Sequence, residues 1–546
     1  MAIEKIGDIL LQAHSVTKEE LDYCLAIQKG QKIDEKIGRI LKYFHFATDE
    51  EIARALAQQV GWKYFDKKYT IDLETIDGIG FDFFKEETFV PVRTEQGLAF
   101  VFAHPFAVAA TDCLSKYGLS DKDCYVGSED QVCYHLDCLS NRKRAAEIEK
   151  KIGLIKEQGL IGNELKELAD SLLDEAIIQA ASDIHIEPEE KISTVRFRID
   201  GMLYFRLAIR PDVHNNLVNI IFSKADITVS DFLKFHDARF QHNYSNHAVD
   251  VRVSCIPSSH GPALVLRLLD VNRSLISLEQ LGFDRAHFDC IRRIAQKPHG
   301  IIIMAGPTGS GKTTTLYAIL NELKSISTKV ITIEDPVEIK MPLANQVQIN
   351  EKQGITFAHA TRAFLRHDPN IILIGEIRDK DTAQEAIRAA MTGHRVLSTL
   401  HTNTAVDSVY RLHDLGVDLA YISNSILAVI SQRLIRKLCP FCKKRVTVKK
   451  EKWPGFFKEQ FKEDKSEIRA YKAVGCDHCQ GGYKGRTVIA EILEFDPEIK
   501  SRVASGRLES LYDKEREKTR LNLRQDAARL ILCGVTSFEE AERIIG

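Results

Sequence analysis

Four runs of apolar residues punctuate the second half of the chain: Gly300-Ile301-Ile302-Ile303-Met304-Ala305, Val330-Ile331-Thr332-Ile333, Ile371-Ile372-Leu373-Ile374, and a shorter one within Arg395-Val396-Leu397-Ser398-Thr399-Leu400. A strand covered on both faces has no alternating polar positions, so these runs predict the parallel sheet of an α/β domain. Thr314, Leu316, Ala318, Ile319 and Leu320 follow the first run with helical spacing. Further upstream, Leu165, Ala169, Leu172, Leu173, Ala176, Ile177 and Ala180 form a helical stripe. Val195 to Leu203 instead alternates with period two around an Asp200-Gly201 turn, the pattern of a half-buried hairpin. Val90-Pro91-Val92 and Leu98 to Phe102 predict two short strands, and Ala107 to Ala110 the opening of a helix.

The N-terminal pattern repeats. Lys5-Ile6-Gly7-Asp8-Ile9-Leu10 is echoed 31 residues later by Lys36-Ile37-Gly38-Arg39-Ile40-Leu41, and the echo continues through Thr17/Thr48 and Glu20/Glu51. Each copy predicts a short helix, a turn, and an amphipathic helix N-capped by threonine with glutamate three residues on. Two copies can bury their apolar faces against each other. Residues 141–164, dense in Lys, Arg and Glu, predict a solvated helical linker. The expected organisation is a helical repeat module at 1–70, a small α+β subdomain at 71–140, the linker, a middle domain at 165–285 and an α/β domain at 286–546 with an insert at 436–484.

At 546 residues the chain is too long for one core. A net charge of −2 gives no global reason to expect nucleic-acid binding. No apolar run reaches the ~18 residues that cross a bilayer, and the N-terminus lacks an export pattern. The expectation is a cytoplasmic protein. Of twelve cysteines, Cys439/Cys442 and Cys476/Cys479 form two C-x-x-C pairs separated by 33 residues. Two pairs of thiolates supply a tetrahedral Zn²⁺ site, and four protein ligands leave no position for a reacting water. Cys113, Cys124, Cys133 and Cys138 match no metal spacing and read as packing thiols.

The chemistry concentrates after the first apolar run. Gly306-Pro307-Thr308-Gly309-Ser310-Gly311-Lys312-Thr313 satisfies G-x-x-x-x-G-K-[ST] between a strand and a helix. Its glycines let backbone N–H groups approach phosphates, aimed by the helix N-terminus, and Thr314 continues that turn. Lys312 would neutralise the β- and γ-phosphates of ATP, with the Thr313 hydroxyl on Mg²⁺. The second run ends in Glu334-Asp335-Pro336-Val337-Glu338 and the third in Gly375-Glu376-Ile377-Arg378-Asp379. Carboxyl ends of parallel strands face the ligand crevice, so these acids point toward the phosphates.

Ala181-Ser182-Asp183-Ile184-His185-Ile186-Glu187-Pro188, followed by Val195-Arg196-Phe197-Arg198-Ile199-Asp200-Gly201, resembles the middle domain of type II secretion and type IV pilus assembly ATPases. The P-loop and both acidic strand ends continue that likeness, as do Thr392-Gly393-His394 to Leu400-His401-Thr402-Asn403 and the cysteine pairs. The resemblance implies an α/β fold: a RecA-like P-loop motor domain with a PAS-like α+β middle domain, a small helical and α+β N-terminal module, and a tetracysteine zinc insert. It implies Glu338 as the residue that positions the hydrolytic water, with Glu376 on Mg²⁺ or sharing the base role. It also implies Arg196 and Arg198 as arginine fingers, His401 and His394 in phosphate sensing or active-site ordering with His401 nearer the nucleotide, and Arg362 and Arg366 at subunit contacts.

The likeness further implies a homo-oligomer, a hexamer, which powers assembly of a secretion pseudopilus or a pilus. Its partners would be an inner-membrane platform protein and a cytoplasmic docking subunit, so that it meets the membrane only indirectly. Relatives whose N-terminal repeats bind cyclic di-GMP carry Arg-Leu-Gly triplets and a glycine after each first helix. Here the triplets are Lys-Ile-Gly and the glycine positions hold His14 and His45, which favours a docking repeat over a cyclic di-GMP site. Phe232 to His236, Pro262, Asn370, Val488 and Ala490 also depart from the family pattern. Two other readings are a nucleic-acid-translocating P-loop ATPase, for which no basic stripe or stacking platform is evident, and a nucleotide-regulated docking protein with little turnover, against which Lys312, Glu338 and Glu376 argue.

Overall fold

Every apolar run of the second half becomes a strand of one sheet in the computed structural model. It describes residues 5–30, 36–65, 70–79, 81–94, 97–105, 123–129, 131–133, 135–136, 163–228, 234–244, 247–270, 276–453, 455, 467–476, 479–511 and 522–545. The chain divides into two units, 1–270 and 271–546.

The first unit opens with two helix pairs, Ile6–Gln12 with Lys18–Gly30 and Ile37–Tyr43 with Asp49–Val60. Thr48 and Glu51 form a reciprocal capping box, and Thr17 exchanges the same two bonds with Glu20. The pairs share one core that holds Ile9, Leu10, Leu21, Ile40 and Leu41. His14 (φ 55°) and His45 (φ 57°) end the first helices in the left-handed conformation that glycine takes at least cost. A small sheet follows, from β1 (Lys63–Tyr64), β2 (Thr70–Ile71), β3 (Phe89–Thr94), β4 (Gly97–Phe102) and β5 (Cys124–Val126), in the order β1-β5-β4-β3-β2. Cys124 is buried there and Cys133 partly so. Cys113, Cys138, the helix expected at Ala107 and most of the charged linker lie outside the described residues.

The helix Asn163–Ile178 carries the apolar stripe expected of it and leads into β6 (Ala181–Pro188), β7 (Ser193–Ile199) and β8 (Met202–Ile209). After the helix Pro211–Lys224 come β9 (His236–Tyr244), β10 (His247–Ser258) and β11 (Gly261–Asp270). The sheet order is β8-β7-β6-β11-β10-β9, antiparallel at every pairing. One face buries Ile184, Ile186, Val195, Phe197, Val251, Val253, Leu264 and Leu266 against the two helices. The other face is polar, as one side of an antiparallel sheet can be. Asp200 (φ 49°) and Gly201 (φ 84°) make the tight hairpin turn between β7 and β8.

The second unit is built on β12 (Gly300–Ala305), β13 (Val330–Glu334), β14 (Ala344–Gln348), β15 (Ile371–Ile374), β16 (Arg395–Leu400), β17 (Ile426–Leu438) and, beyond the hairpin β18 (Lys444–Lys449) and β19 (Glu467–Lys472), β20 (Tyr483–Glu494). The seven-stranded order is β14-β13-β15-β16-β12-β17-β20, parallel except for β20, which runs antiparallel to β17. Alternate residues of each strand enter opposite cores. Ile301, Ile303, Ile333, Ile372, Ile374 and Val396 lie on one side, and Ile302, Met304, Leu373, Leu397 and Ile430 on the other with Leu316, Ile319 and Leu320 of the helix Lys312–Leu323. The carboxyl ends of β12, β13, β15 and β16 therefore carry the P-loop, the acidic turn at 335–338, Glu376 and His401 along one rim. Between the cysteine pairs, β18 and β19 pair antiparallel, Lys444 opposite Lys472 and Lys449 opposite Glu467. Trp453 is buried there with its indole N–H donating to the Val448 carbonyl (3.0 Å), in a core shared with the helices Leu523–Leu532 and Phe538–Ile545.

Candidate active site

The P-loop conformation depends on glycine at a few points. Gly309 (φ 77°) and Gly311 (φ 87°) take left-handed values, and a Cβ on Gly306 would lie 2.6 Å from Ser310 Oγ and 2.7 Å from the Gln432 carbonyl. Lys312 Nζ donates to the carbonyls of Gly306 (2.7 Å) and Pro307 (3.1 Å). Gly311 starts the helix Lys312–Leu323 without a side-chain cap, so the first amides of that helix are open to an anion. Ser310 Oγ is buried with no hydrogen-bond partner among the described residues. Pro307, Thr308 and Gly309 are exposed, Thr313 is half-buried and Thr314 exposed. Uncapped amides, an unsatisfied hydroxyl and a lysine held only by carbonyls form a cradle that fits a polyphosphate. Burial pulls the Lys312 ammonium down to about 8 and Arg433 adds to this, while Glu376 opposes it.

The acidic turn after β13 is anchored at both ends. Glu334 is buried, and its carboxylate accepts from the Tyr317 hydroxyl on the P-loop helix, from Thr332 Oγ1 (2.5 Å) and from Gln346 Nε2 (3.2 Å). Gln346, on β14, also donates to the Ile339 carbonyl (3.0 Å) and accepts from the Met341 amide (2.7 Å). One carboxamide thus pins the residues on either side of Asp335 to Glu338, and Glu338 stands exposed between them. Burial, and then the adjacent Glu334 carboxylate, raise the Tyr317 pKa, so its hydroxyl stays a donor.

Glu376 lies beyond the end of β15 with its carboxylate largely covered, paired with Arg378 Nη2 (2.5 Å) and His401 Nε2 (3.5 Å). Burial, the Lys312 charge and Arg378 depress the His401 pKa against the opposing pull of Glu376, which favours a neutral imidazole near pH 7. The structure separates the two histidines to opposite ends of β16. His394 Nδ1 sits against the Ala389 carbonyl (3.0 Å) and Thr392 Oγ1 (3.1 Å), closing the end of the helix Lys380–Met391, so only His401 joins the carboxylate. Arg362 pairs with Glu385 (2.9 Å), and Arg366 falls beyond the end of the helix Phe357–Phe364.

Sequence reasoning passed over β17. Its apolar run Ile426 to Ile430 is interrupted by Ser431 and Gln432, both buried, and Arg433, half-buried. Ser431 Oγ donates to the Asn403 carbonyl (3.1 Å) and Arg433 to the carbonyls of Asn403 (2.8 Å) and Gln432 (3.0 Å), just beyond His401. Gln432 reaches the P-loop, donating to the Ser310 carbonyl (2.7 Å) and accepting from Thr315 Oγ1 (2.9 Å). A polar triplet inside an apolar strand was the signal available.

On the polar face of the middle-domain sheet, Arg196 pairs with Glu187, and Arg198 lies 3.6 Å from Asp183 and 3.4 Å from His185. Strand register sets Arg239, Arg252, Arg267, Asp183 and Arg198 side by side across β9, β10, β11, β6 and β7. Asp183, nearly buried, also binds Arg267 (2.9 Å), so one carboxylate faces guanidinium groups on both sides.

The cysteine pairs meet because β17 delivers Cys439 and β20 starts just after Cys479, with Leu438 opposite Tyr483. The four Sγ atoms lie within 4.8 Å of one another: Cys439 to Cys476 at 3.9 Å, Cys442 to Cys479 and Cys476 to Cys479 both at 3.7 Å. Four sulfurs at about 2.3 Å from Zn²⁺ stand about 3.8 Å apart at tetrahedral corners. The amides of Gly475 and Cys476 point at the sulfurs of Cys442 and Cys479 (both 3.3 Å), which suits thiolates. The cluster fits zinc.

Residues 162–543 match the family described as type II/IV secretion system protein. The type II secretion system ATPase E of Vibrio cholerae is 43% identical over 378 residues, 69% of this chain and 74% of that one. The type IV pilus assembly ATPase TfpB of Acinetobacter baylyi is 42% identical over 381 residues, 69% of this chain and 65% of that protein. Among solved structures, the Legionella pneumophila ATPase DotB superposes with a TM-score of 0.54 over 71% of this chain and 96% of its own, at 21% identity, a likeness of fold.

The depressed Lys312 pKa gives a test. A Lys pKa lowered from 10.5 to about 8 means that the free protein loses this charge as pH rises through about 8. Affinity for Mg-ADP, which needs the ammonium, is expected to fall roughly tenfold per pH unit above that point, measured by equilibrium titration between pH 6.5 and 9.5. A flat profile would remove Lys312 from phosphate binding.

Proposed function

The chain belongs to the type II/IV secretion system protein family and is an ATPase of the secretion and pilus-assembly kind, and from that premise we propose how its residues divide the work. ATP lies with its phosphates in the cradle of Gly306 to Thr314, where the loop amides and Lys312 take up the charge of the β- and γ-phosphates. Thr313 and Glu376 would hold Mg²⁺, which supplies further neutralisation of the phosphates. Glu338, on its pinned turn, accepts the proton of the attacking water and aims it at the γ-phosphorus. Glu376, balanced between Arg378 and His401, keeps negative charge at the rim, and a neutral His401 can donate or accept a hydrogen bond there. Arg196 and Arg198, paired with Glu187 and Asp183 in the first unit, are proposed as arginine fingers. Cys439, Cys442, Cys476 and Cys479 would hold a structural Zn²⁺.

The motor works as a ring, a hexamer in the cytoplasm. It drives an inner-membrane platform protein that assembles a pseudopilus or pilus, and meets a docking subunit through the N-terminal repeats. The observation that carries this reading is the convergence of Lys312, Glu376 and His401 at one sheet rim, in a chain more than 40% identical over 69% of its length to a named secretion ATPase and a named pilus ATPase.

Phosphate release from the full chain with Mg-ATP tests the chemistry. Lys312→Ala is expected to abolish turnover, and Glu338→Gln to lower kcat by about 10²-fold or more, the usual worth of a positioned base. Equal release from all three proteins would end the reading. Elemental analysis is expected to find about one zinc per chain, lost from a Cys476→Ser/Cys479→Ser variant together with several degrees of melting temperature. A wild type that is metal-free after purification under reducing conditions and unchanged by added zinc would contradict the zinc assignment.

A further inference from the structure

Gln432 is 1% exposed and sits one residue beyond the last β12–β17 pair, Ala305 with Ser431, so its side chain meets the chain where the P-loop leaves the sheet. Both ends of its carboxamide are used. Nε2 donates to the Ser310 carbonyl at 2.7 Å, and Oε1 accepts from the Thr315 hydroxyl at 2.9 Å. Its backbone carbonyl is the atom that a Cβ at Gly306 would strike at 2.7 Å, and its Nε2 lies 3.2 Å from where a Cβ of Gly311 would be. The loop is therefore moulded against this one residue at its start, its middle and the first turn of its helix.

The first of these bonds sets an amide direction. In a trans peptide the carbonyl of one residue and the N–H of the next point opposite ways across a rigid plane. Holding the Ser310 carbonyl toward β17 turns the Gly311 N–H away from β17, to the other side of the loop. Glycines at 309 and 311 leave the plane otherwise free to rotate, which lowers the cost of wrapping a phosphate but not of holding the shape beforehand. The second bond ties the helix turn containing Lys312 to the same carboxamide.

We propose that Gln432 is a positioning residue for the nucleotide phosphates, acting through the Ser310–Gly311 peptide and Thr315 rather than by touching the nucleotide. The inference rests on the phosphate-binding reading of the P-loop. It requires an amide and not an acid, because glutamate would set a carboxylate oxygen against the Ser310 carbonyl, and leucine would fill the space without either bond.

A preformed loop lowers the ordering cost of binding, so the loss should appear in affinity. In the full-length, zinc-loaded protein, Gln432→Glu and Gln432→Leu are expected to raise the Kd for Mg-ADP and the KM for Mg-ATP by about tenfold, the worth of one to two buried hydrogen bonds, with kcat within about threefold of wild type. Thr315→Val removes one bond with little change in volume and should raise Kd by about threefold, whereas Thr315→Ser, which keeps the hydroxyl, should fall clearly closer to wild type. A residue needed only for folding would instead lower the active fraction, seen as reduced kcat at constant KM with a lower melting temperature. That pattern, or a Thr315→Val Kd equal to the wild-type value, overturns the proposal. Lys312→Ala is the control. If it too leaves Mg-ADP affinity unchanged, the P-loop reading itself fails; if it weakens binding while the Gln432 and Thr315 variants do not, only the role of Gln432 fails.

Discussion

A loop that binds phosphate must point its N–H groups inward, and it can do so only if its carbonyls have somewhere else to go. In this protein the carbonyls of Gly306 and Pro307 are taken by Lys312 and that of Ser310 by Gln432. Those three bonds make a strand–helix connection into a receptor, and the sheet exists to bring their donors to one place. β12 leads into the loop, β17 lies beside β12, and the helix that carries Lys312 packs Leu316, Ile319 and Leu320 back onto the same sheet. The apolar strands provide a rigid frame, and the polar atoms at their carboxyl ends are positioned by that frame and not by local sequence.

The same rim shows how buried charge is balanced before any ligand is considered. Glu376 is shared between Arg378 and His401, Lys312 is depressed by burial yet supported by Glu376, and Glu334 accepts hydrogen bonds from Tyr317, Thr332 and Gln346. Glu334, the last residue of β13, and Glu338 therefore differ in kind. Glu334, saturated with hydrogen bonds, is part of the framework, while Glu338, four residues on, stands in solvent with its turn held at both ends by Gln346. Rigid support under an exposed carboxylate is what a water-positioning group requires.

The other two chemical centres follow the same logic with different backbones. In the first unit an antiparallel sheet buries one face and leaves arginines in register on the other, where Asp183 and Glu187 moderate their mutual repulsion. In the second, the pairing of β17 with β20 brings cysteines distant in sequence to within tetrahedral spacing, and the β18–β19 hairpin between them shares a core around Trp453 with the helices Leu523–Leu532 and Phe538–Ile545.

Much of this was legible in the chain alone wherever the signal is local. Continuous apolar runs gave the strands, Thr48 and Glu51 the helix start, Asp200-Gly201 the hairpin, and the Gly306 to Thr313 pattern the phosphate loop, because each depends on backbone preferences or burial within a dozen residues. What the chain did not disclose is which polar residues converge. That His401 reaches Glu376 while His394 caps a helix, that Gln346 spans the acidic turn, and that Gln432 shapes the P-loop from well over a hundred residues away are consequences of strand order and register. Periodicity marks the buried face of an element, but it carries no information about which neighbour the sheet will set beside it, and hydrogen-bond partners are chosen by that neighbour.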